Sequence, residues 1–236
     1  MARVDETGAA YAGSQLQTQL YVNRRADQLG DAIRAELPEL SGATLTWRSP
    51  LAADRYREYY GQAFLDRVGL GEHAAALKAF WPPRGPQWDA LAVVELPGSG
   101  RPGVLLCEGK SYPGELLGGS GTTAAPGSES RQLIEKSLAW TQQRLGVEGK
   151  TGADWATSPV YQSANRLATL QWLRSLGVRA WLVHLLFVDD PHGPTTPDEW
   201  GAAVRQADEM LGLSGPVPGA GHVLLPAGRQ EELAHG

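Results

Sequence analysis

Trp88-Asp89-Ala90-Leu91-Ala92-Val93-Val94-Glu95 and Gly103-Val104-Leu105-Leu106-Cys107-Glu108-Gly109-Lys110 are two apolar runs, and Pro97-Gly98-Ser99-Gly100-Arg101-Pro102 lies between them. The connecting residues are turn formers throughout, so the pair predicts an antiparallel hairpin. Both runs are almost continuously apolar, which places the hairpin centrally in a sheet covered on both faces. A turn centred near Ser99 to Arg101 sets Asp89 opposite a position near Lys110, with Glu108 diagonal to it. Diagonal neighbours on one face lie roughly 7–8 Å apart at the backbone. The strand period of two puts Leu106, Glu108 and Lys110 on one face and Cys107 and Gly109 on the other. The far end of the hairpin therefore gathers two carboxylates and an ammonium.

Outward from the hairpin, helical and strand patterns alternate. Leu16, Leu20, Leu29, Ile33 and Leu37 recur at helical spacing and predict a helix over 14–37, closed by Pro38. Residues 44–47 alternate as a short strand. Tyr56, Tyr59, Tyr60, Phe64, Leu65 and Val68 form one stripe and predict a helix over 54–70. A helical turn at 77–81 precedes the breaker 82–86. Residues 114–130 are rich in Gly, Ser, Thr and Ala and read as a mobile loop. Helices are expected over 131–145 and 160–176, then an apolar strand over 179–188. Thr196, with Pro197 behind it, starts a helix over 196–211. The last ten residues are polar and expected to fray. The expectation is an α/β fold: one domain, 1–236, a central mixed β-sheet flanked by helices, and a flexible insertion around 113–130.

The chain has 236 residues, 42% hydrophobic and 20% charged, enough to bury a core without staples. One cysteine excludes an internal disulfide framework and a cysteine-rich zinc site. No run approaches the roughly 20 apolar residues of a membrane span. Met1 to Ser14 carries no apolar signal-like stretch, so no membrane association and a cytoplasmic location are expected. A net charge of −5 argues against broad coating of nucleic acid, though not against a basic groove.

Two carboxylates side by side at the end of an apolar strand repel each other and are desolvated. A divalent cation relieves both penalties. Mg²⁺ prefers carboxylate oxygens and keeps several waters, and a neighbouring lysine can hold such a water or stabilise developing charge. The competing readings are a surface ion-pair ladder across the hairpin, worth little, and a metal-free carboxylate pair acting on sugars, which has no place for the lysine.

Trp88-Asp89 followed by Glu108-Gly109-Lys110 resembles the PD-(D/E)XK nuclease superfamily, the restriction-endonuclease-like proteins. That family's core is a helix, a three-stranded meander carrying the acids and lysine, a helix, and a further strand. The elements expected here follow this order, with insertions at 54–81 and 113–157. The proline also departs from the pattern, standing at Pro86 rather than directly before Asp89. The resemblance implies a restriction-endonuclease-like core and Mg²⁺-dependent phosphodiester hydrolysis, with Mn²⁺ as a substitute. Asp89 and Glu108 would be the metal ligands, Lys110 the water activator and Gln162 a helper, with nucleic acid, DNA in particular, as substrate. It leaves open an idle module of the same fold that binds a protein or nucleic acid, and the oligomeric state, a homodimer included.

Gln162, Asn165 and Arg166 share one face of the helix over 160–176. By the resemblance, Gln162 would orient a water or phosphate and Arg166 would contact phosphate; otherwise Gln162 serves the helix end and Arg166 is solvated. Gln15 and Gln17, on the first helix, could approach the site. Other residues receive plainer readings. Glu95 is a solvated acid near the turn. Cys107 is a packed small hydrophobe and His184 a hydrogen-bonded core histidine. Asp189-Asp190 ends a strand, and most of the eight tryptophans belong to the core.

Overall fold

A computed structural model of the chain describes residues 4–83 and 85–234. The parts of the expectations that fall on 1–3, on Arg84 or on 235–236 lie outside the described residues. The chain begins with α1 (Gly13–Arg24) and α2 (Ala26–Glu36), then β1 (Thr44–Ser49), α3 (Gly61–Arg67) and α4 (Ala74–Phe80). The hairpin follows as β2 (Ala90–Glu95) and β3 (Gly103–Lys110). Next come α5 (Pro113–Leu117), α6 (Glu129–Leu145), α7 (Tyr161–Ser175), β4 (Ala180–Val188) and α8 (Pro197–Leu211). Finally, β5 (Ala220–Pro226) precedes α9 (Gln230–Ala234).

Among the described residues the strands form one mixed sheet in the order β1-β2-β3-β4-β5. The first three run antiparallel as a meander, and β4 and β5 continue parallel to β3. Alternation along the strands splits the core into two layers. Leu91, Val93, Val104, Leu106, Leu182 and Leu186 face α3, α4 and α6–α8, while Ala92, Leu105, Cys107, Val183, Leu185 and Phe187 face α1 and α2. The α/β expectation of a sheet covered on both faces by helices therefore holds. No described helix is long and apolar enough to cross a membrane.

The helix ends carry recognisable chemistry. Thr196 and Glu199 form a reciprocal capping box at α8, and Gly212 closes that helix at φ +74°. The indole of Trp200 donates to the Phe187 carbonyl at 3.0 Å, docking α8 against β4. Ser128 caps α6 by accepting from the Arg131 amide at 3.2 Å.

Four expectations change. The single helix over 14–37 is two, broken at Arg25, whose backbone is not helical. Just before the break, Asn23 donates to the Pro50 carbonyl and accepts from the Ala52 amide, tying the end of α1 to the exit of β1. The helix over 54–70 shrinks to α3, because Arg55 and Tyr56 have left-handed backbones and Tyr59 forms an isolated antiparallel bridge with Trp88. Tyr59, Phe64, Leu65 and Val68 are nonetheless buried, as their stripe predicts. The loop over 114–130 begins with α5, and its Thr122 amide donates to the Ala156 carbonyl at 2.8 Å. The C-terminal stretch supplies β5 and α9, where no strand and only a frayed tail are expected. β5 is half-buried, follows Gly219 and ends on Pro226, so its pattern is short and weak.

Candidate active site

The hairpin register brings the acids closer than the turn-centre argument predicts. Ala90 pairs with Cys107 and Leu91 with Leu106, so one further step sets Asp89 beside Glu108 rather than diagonal to it. Asp89 itself lies just ahead of β2, and its Oδ2 accepts from the Gly109 amide at 2.8 Å. That bond fixes the carboxylate against the backbone between Glu108 and Lys110. Gly109 is required there by close approach: a Cβ would run into the Thr18 hydroxyl and lie 3.3 Å from Phe187 and from the Ser14 carbonyl on α1.

Glu108 is 2% exposed and Lys110 5%. The Lys110 ammonium donates to Glu108 Oε1 at 2.8 Å and to Gln162 Oε1 at 2.6 Å. Arg166 donates to Glu108 Oε2 from Nε at 2.8 Å and from Nη2 at 2.6 Å. Its other contacts are the Asn165 side-chain oxygen at 2.8 Å and the Gln87 carbonyl at 2.7 Å, and its guanidinium lies 4.8 Å from the centre of the Trp88 ring. Arg166 is thus neither solvated nor presented to a phosphate; it is a buried clamp on Glu108. Gln162 occupies the first turn of α7, and its carboxamide oxygen faces the lysine rather than the helix end.

Sequence reasoning passes over Glu58, because the residues around it read as helix. The Tyr59–Trp88 bridge sets the residue before Tyr59 alongside the residue after Trp88, which brings Glu58 to Asp89. Glu58 accepts from Gln15 at 3.1 Å and also from Gln87. Gln15 therefore reaches the site through Glu58, while Gln17 bonds the Gly228 backbone at 3.0 and 2.8 Å, away from it.

The electrostatics separate the carboxylates. Burial by itself raises Glu108, but Arg166 and Lys110 outweigh it and hold the carboxyl down at about 2. Asp89 moves the other way: burial, then the charges of Glu108 and Glu58, push it well above the usual aspartate range, and Lys110 and the Gly109 amide offset this only in part. Glu58 is also raised, first by burial. The arrangement holds one carboxylate that is firmly ionised, Glu108, and two, Asp89 and Glu58, that lack sufficient positive charge.

The remaining candidates resolve simply. Cys107 is fully buried on the opposite face, and burial pushes its thiol up, away from nucleophilic character. Glu95 is exposed near the turn. Asp190 accepts from the Ser111 hydroxyl at 2.6 Å and the His192 amide at 2.9 Å, a turn role. His184 is buried as expected, but its Nε2 has no hydrogen-bond partner among the described residues, and its ring stacks on His222. Trp88, Trp155 and Trp200 are fully buried core residues. Among the described residues, no three His, Cys, Asp or Glu side chains converge into an all-protein metal cage. Compared with known protein families, curated proteins and solved structures, the chain finds no match.

Proposed function

We propose that the chain is a Mg²⁺-dependent nuclease of the PD-(D/E)XK type that hydrolyses phosphodiester bonds in nucleic acid, DNA in particular. The observation that carries this reading is the meeting of Asp89, Glu108 and Lys110 at one end of the β2–β3 hairpin, with Gln162 bonded to the lysine. The element order supports it: a helix, an antiparallel meander, a helix, and a strand parallel to β3.

The donor set suits Mg²⁺. Both acids offer hard oxygens, and because Mg²⁺ retains several waters, one or two carboxylates suffice without a third ligand. Asp89 keeps partial solvent access and bears the negative excess that a divalent ion would offset. Asp89 and Glu108 would be the residues that hold Mg²⁺, which would supply Lewis-acid charge and an acidified water. Lys110 has three N–H donors and uses two of them on Glu108 and Gln162; the third has no partner among the described residues and would serve charge developing on phosphate oxygen. Gln162 spends its oxygen on Lys110, which leaves its amide nitrogen to donate to a water or phosphate. Arg166 does not touch substrate; it holds Glu108 ionised and in one rotamer.

One observation favours the idle-module reading. Glu108 Oε2 already receives both Arg166 bonds, so the buried acid is largely satisfied without a metal. Nicking of supercoiled plasmid DNA, with and without Mg²⁺ or Mn²⁺, separates the two. The nuclease reading expects metal-dependent nicking that falls at least about 100-fold in Asp89→Ala and Lys110→Ala, with circular dichroism unchanged. Nicking that survives both substitutions rejects the assignment. Absence of cleavage on DNA and RNA, together with no Mn²⁺ binding, favours the module.

A further inference from the structure

A cavity of about 280 Å³ lies between the sheet, α7 and α8. Leu182, His184, Ala220 and His222, from β4 and β5, form its sheet side. Leu167, Leu211 and Val217 supply apolar walls. Its remaining polar side chains include Asp208, Glu36 and Ser163, and no lysine or arginine stands among the described lining residues.

Several features give the Asp208 end of this space a negative, hydrogen-bond-accepting character, while Lys110 and Arg166 act on His184 from the side of β3. His184 is 6% exposed with Nε2 unpartnered among the described residues, which is costly for a buried polar atom. Its ring stacks on His222 at 5.1 Å between centroids and 12° between planes. Burial holds the His222 imidazole down at about 4, so at neutral pH that ring is uncharged and has one acceptor nitrogen and one N–H. Asp208 stands in the last turn of α8, its carboxyl raised by burial, with no cation beside it among the described residues. That turn contains no basic residue to face the helix's negative end. Glu36, the last residue of α2, accepts from the His222 amide at 3.0 Å and brings a second carboxylate to the cavity.

An anion would meet two carboxylates and the C-terminal turn of α8 here, and a purely apolar ligand would leave His184 Nε2 unpaired. Two imidazoles also fall short of a zinc set, since no third donor converges with them among the described residues. We propose that this cavity binds a small organic cation, a primary ammonium carrying a compact apolar body. Its N–H groups would donate to Asp208 and to the imidazole acceptors, and its apolar part would fill the space between Leu167, Leu182 and Leu211. The inference does not require the proposed hydrolysis, although His184 lies beside Glu108 in the β3–β4 register.

Titration calorimetry and imidazole ¹H–¹⁵N spectra of the full chain test it, with n-hexylammonium and 2-phenylethylammonium as probes and hexan-1-ol and hexanoate as matched controls. The expected result is saturable binding of the ammonium ions, at least about 10-fold tighter than either control, with the His184 and His222 resonances shifting. Asp208→Asn should weaken binding about 10-fold, while Glu209→Gln, an exposed acid on the same helix, leaves it unchanged. Val217→Trp, which fills part of the cavity, should remove binding and serves if Asp208→Asn does not fold. Equal binding of hexanol or hexanoate, no saturable binding of either amine, binding insensitive to both cavity variants, or histidine shifts with Zn²⁺ but not with the amines, overturns the proposal.

Discussion

Arg166 and Glu108 stand 58 positions apart in the chain, yet the guanidinium makes two hydrogen bonds to one carboxylate oxygen, at 2.8 and 2.6 Å. The pair joins α7 to β3 with both side chains almost fully buried. Lys110 engages the other oxygen, so a single carboxylate is shared by two cations. Such a cluster is sensitive to the removal of any member, because a buried charge without its partner is expensive.

Arg166→Met removes both donors from Glu108 Oε2 and leaves only Lys110. The expected loss is about 3–5 kcal/mol, read from the urea midpoint. Lys110→Met should cost less, because the two-pronged Arg166 contact remains. A larger loss in Lys110→Met would show that the lysine, not the arginine, anchors the acid.

Asp89 and Glu108 should pull stability in opposite directions with pH. Glu108 is held below its unfolded value of 4.5, so its contribution is complete above that pH and fades as pH falls through about 2. Asp89 is raised in the fold, so it favours folding at low pH, and that advantage is lost as pH rises through its elevated folded value. Asp89→Asn can keep the bond from Gly109 and should therefore raise thermal stability at pH 7 in metal-free buffer. The gain should vanish below the ordinary aspartate range. Equal stability of the two proteins at pH 7 would argue that Asp89 is not strained by its neighbours.

Gly109→Ala tests the close approach of α1 to β3. The new methyl meets the Thr18 hydroxyl and lies 3.3 Å from Phe187 and the Ser14 carbonyl, so α1 must move. Overpacking of this kind costs about 1–3 kcal/mol, measurable by chemical denaturation. The same shift disturbs the Gly109 amide that holds Asp89, so any metal-dependent cleavage should fall along with stability.

The stacked histidines give a separate acid signature. His222 is depressed to about 4 and His184 lies well below its ordinary value. Unfolded chains bind the protons first, so stability is complete above about pH 6.5 and is lost as pH falls toward 4. His222→Phe removes one of these titrations and should flatten the slope of melting temperature against pH between those limits. An unchanged slope would assign the acid sensitivity to other groups.

The sequence by itself carried what depends on local periodicity and turn chemistry. The apolar runs flanking 97–102 specify the hairpin, and their near-continuous hydrophobicity specifies burial on both faces; the structure has both. Thr196, with Pro197 behind it, announces α8 in the same local way. The one-face grouping of Glu108 and Lys110 follows from the two-residue strand repeat alone. Tertiary structure decided everything that rests on register and distant pairing. The hairpin register shifts Asp89 beside Glu108, because hydrogen bonding along the whole strand, not the turn centre, sets the alignment. Glu58 joins the acids only through the Tyr59–Trp88 bridge, where left-handed residues at 55 and 56 break a stripe that reads as helix. Arg166 becomes a buried clamp, and His184 meets His222 across β4 and β5, for the same reason: such contacts form between elements far apart in the chain, and no local pattern encodes them.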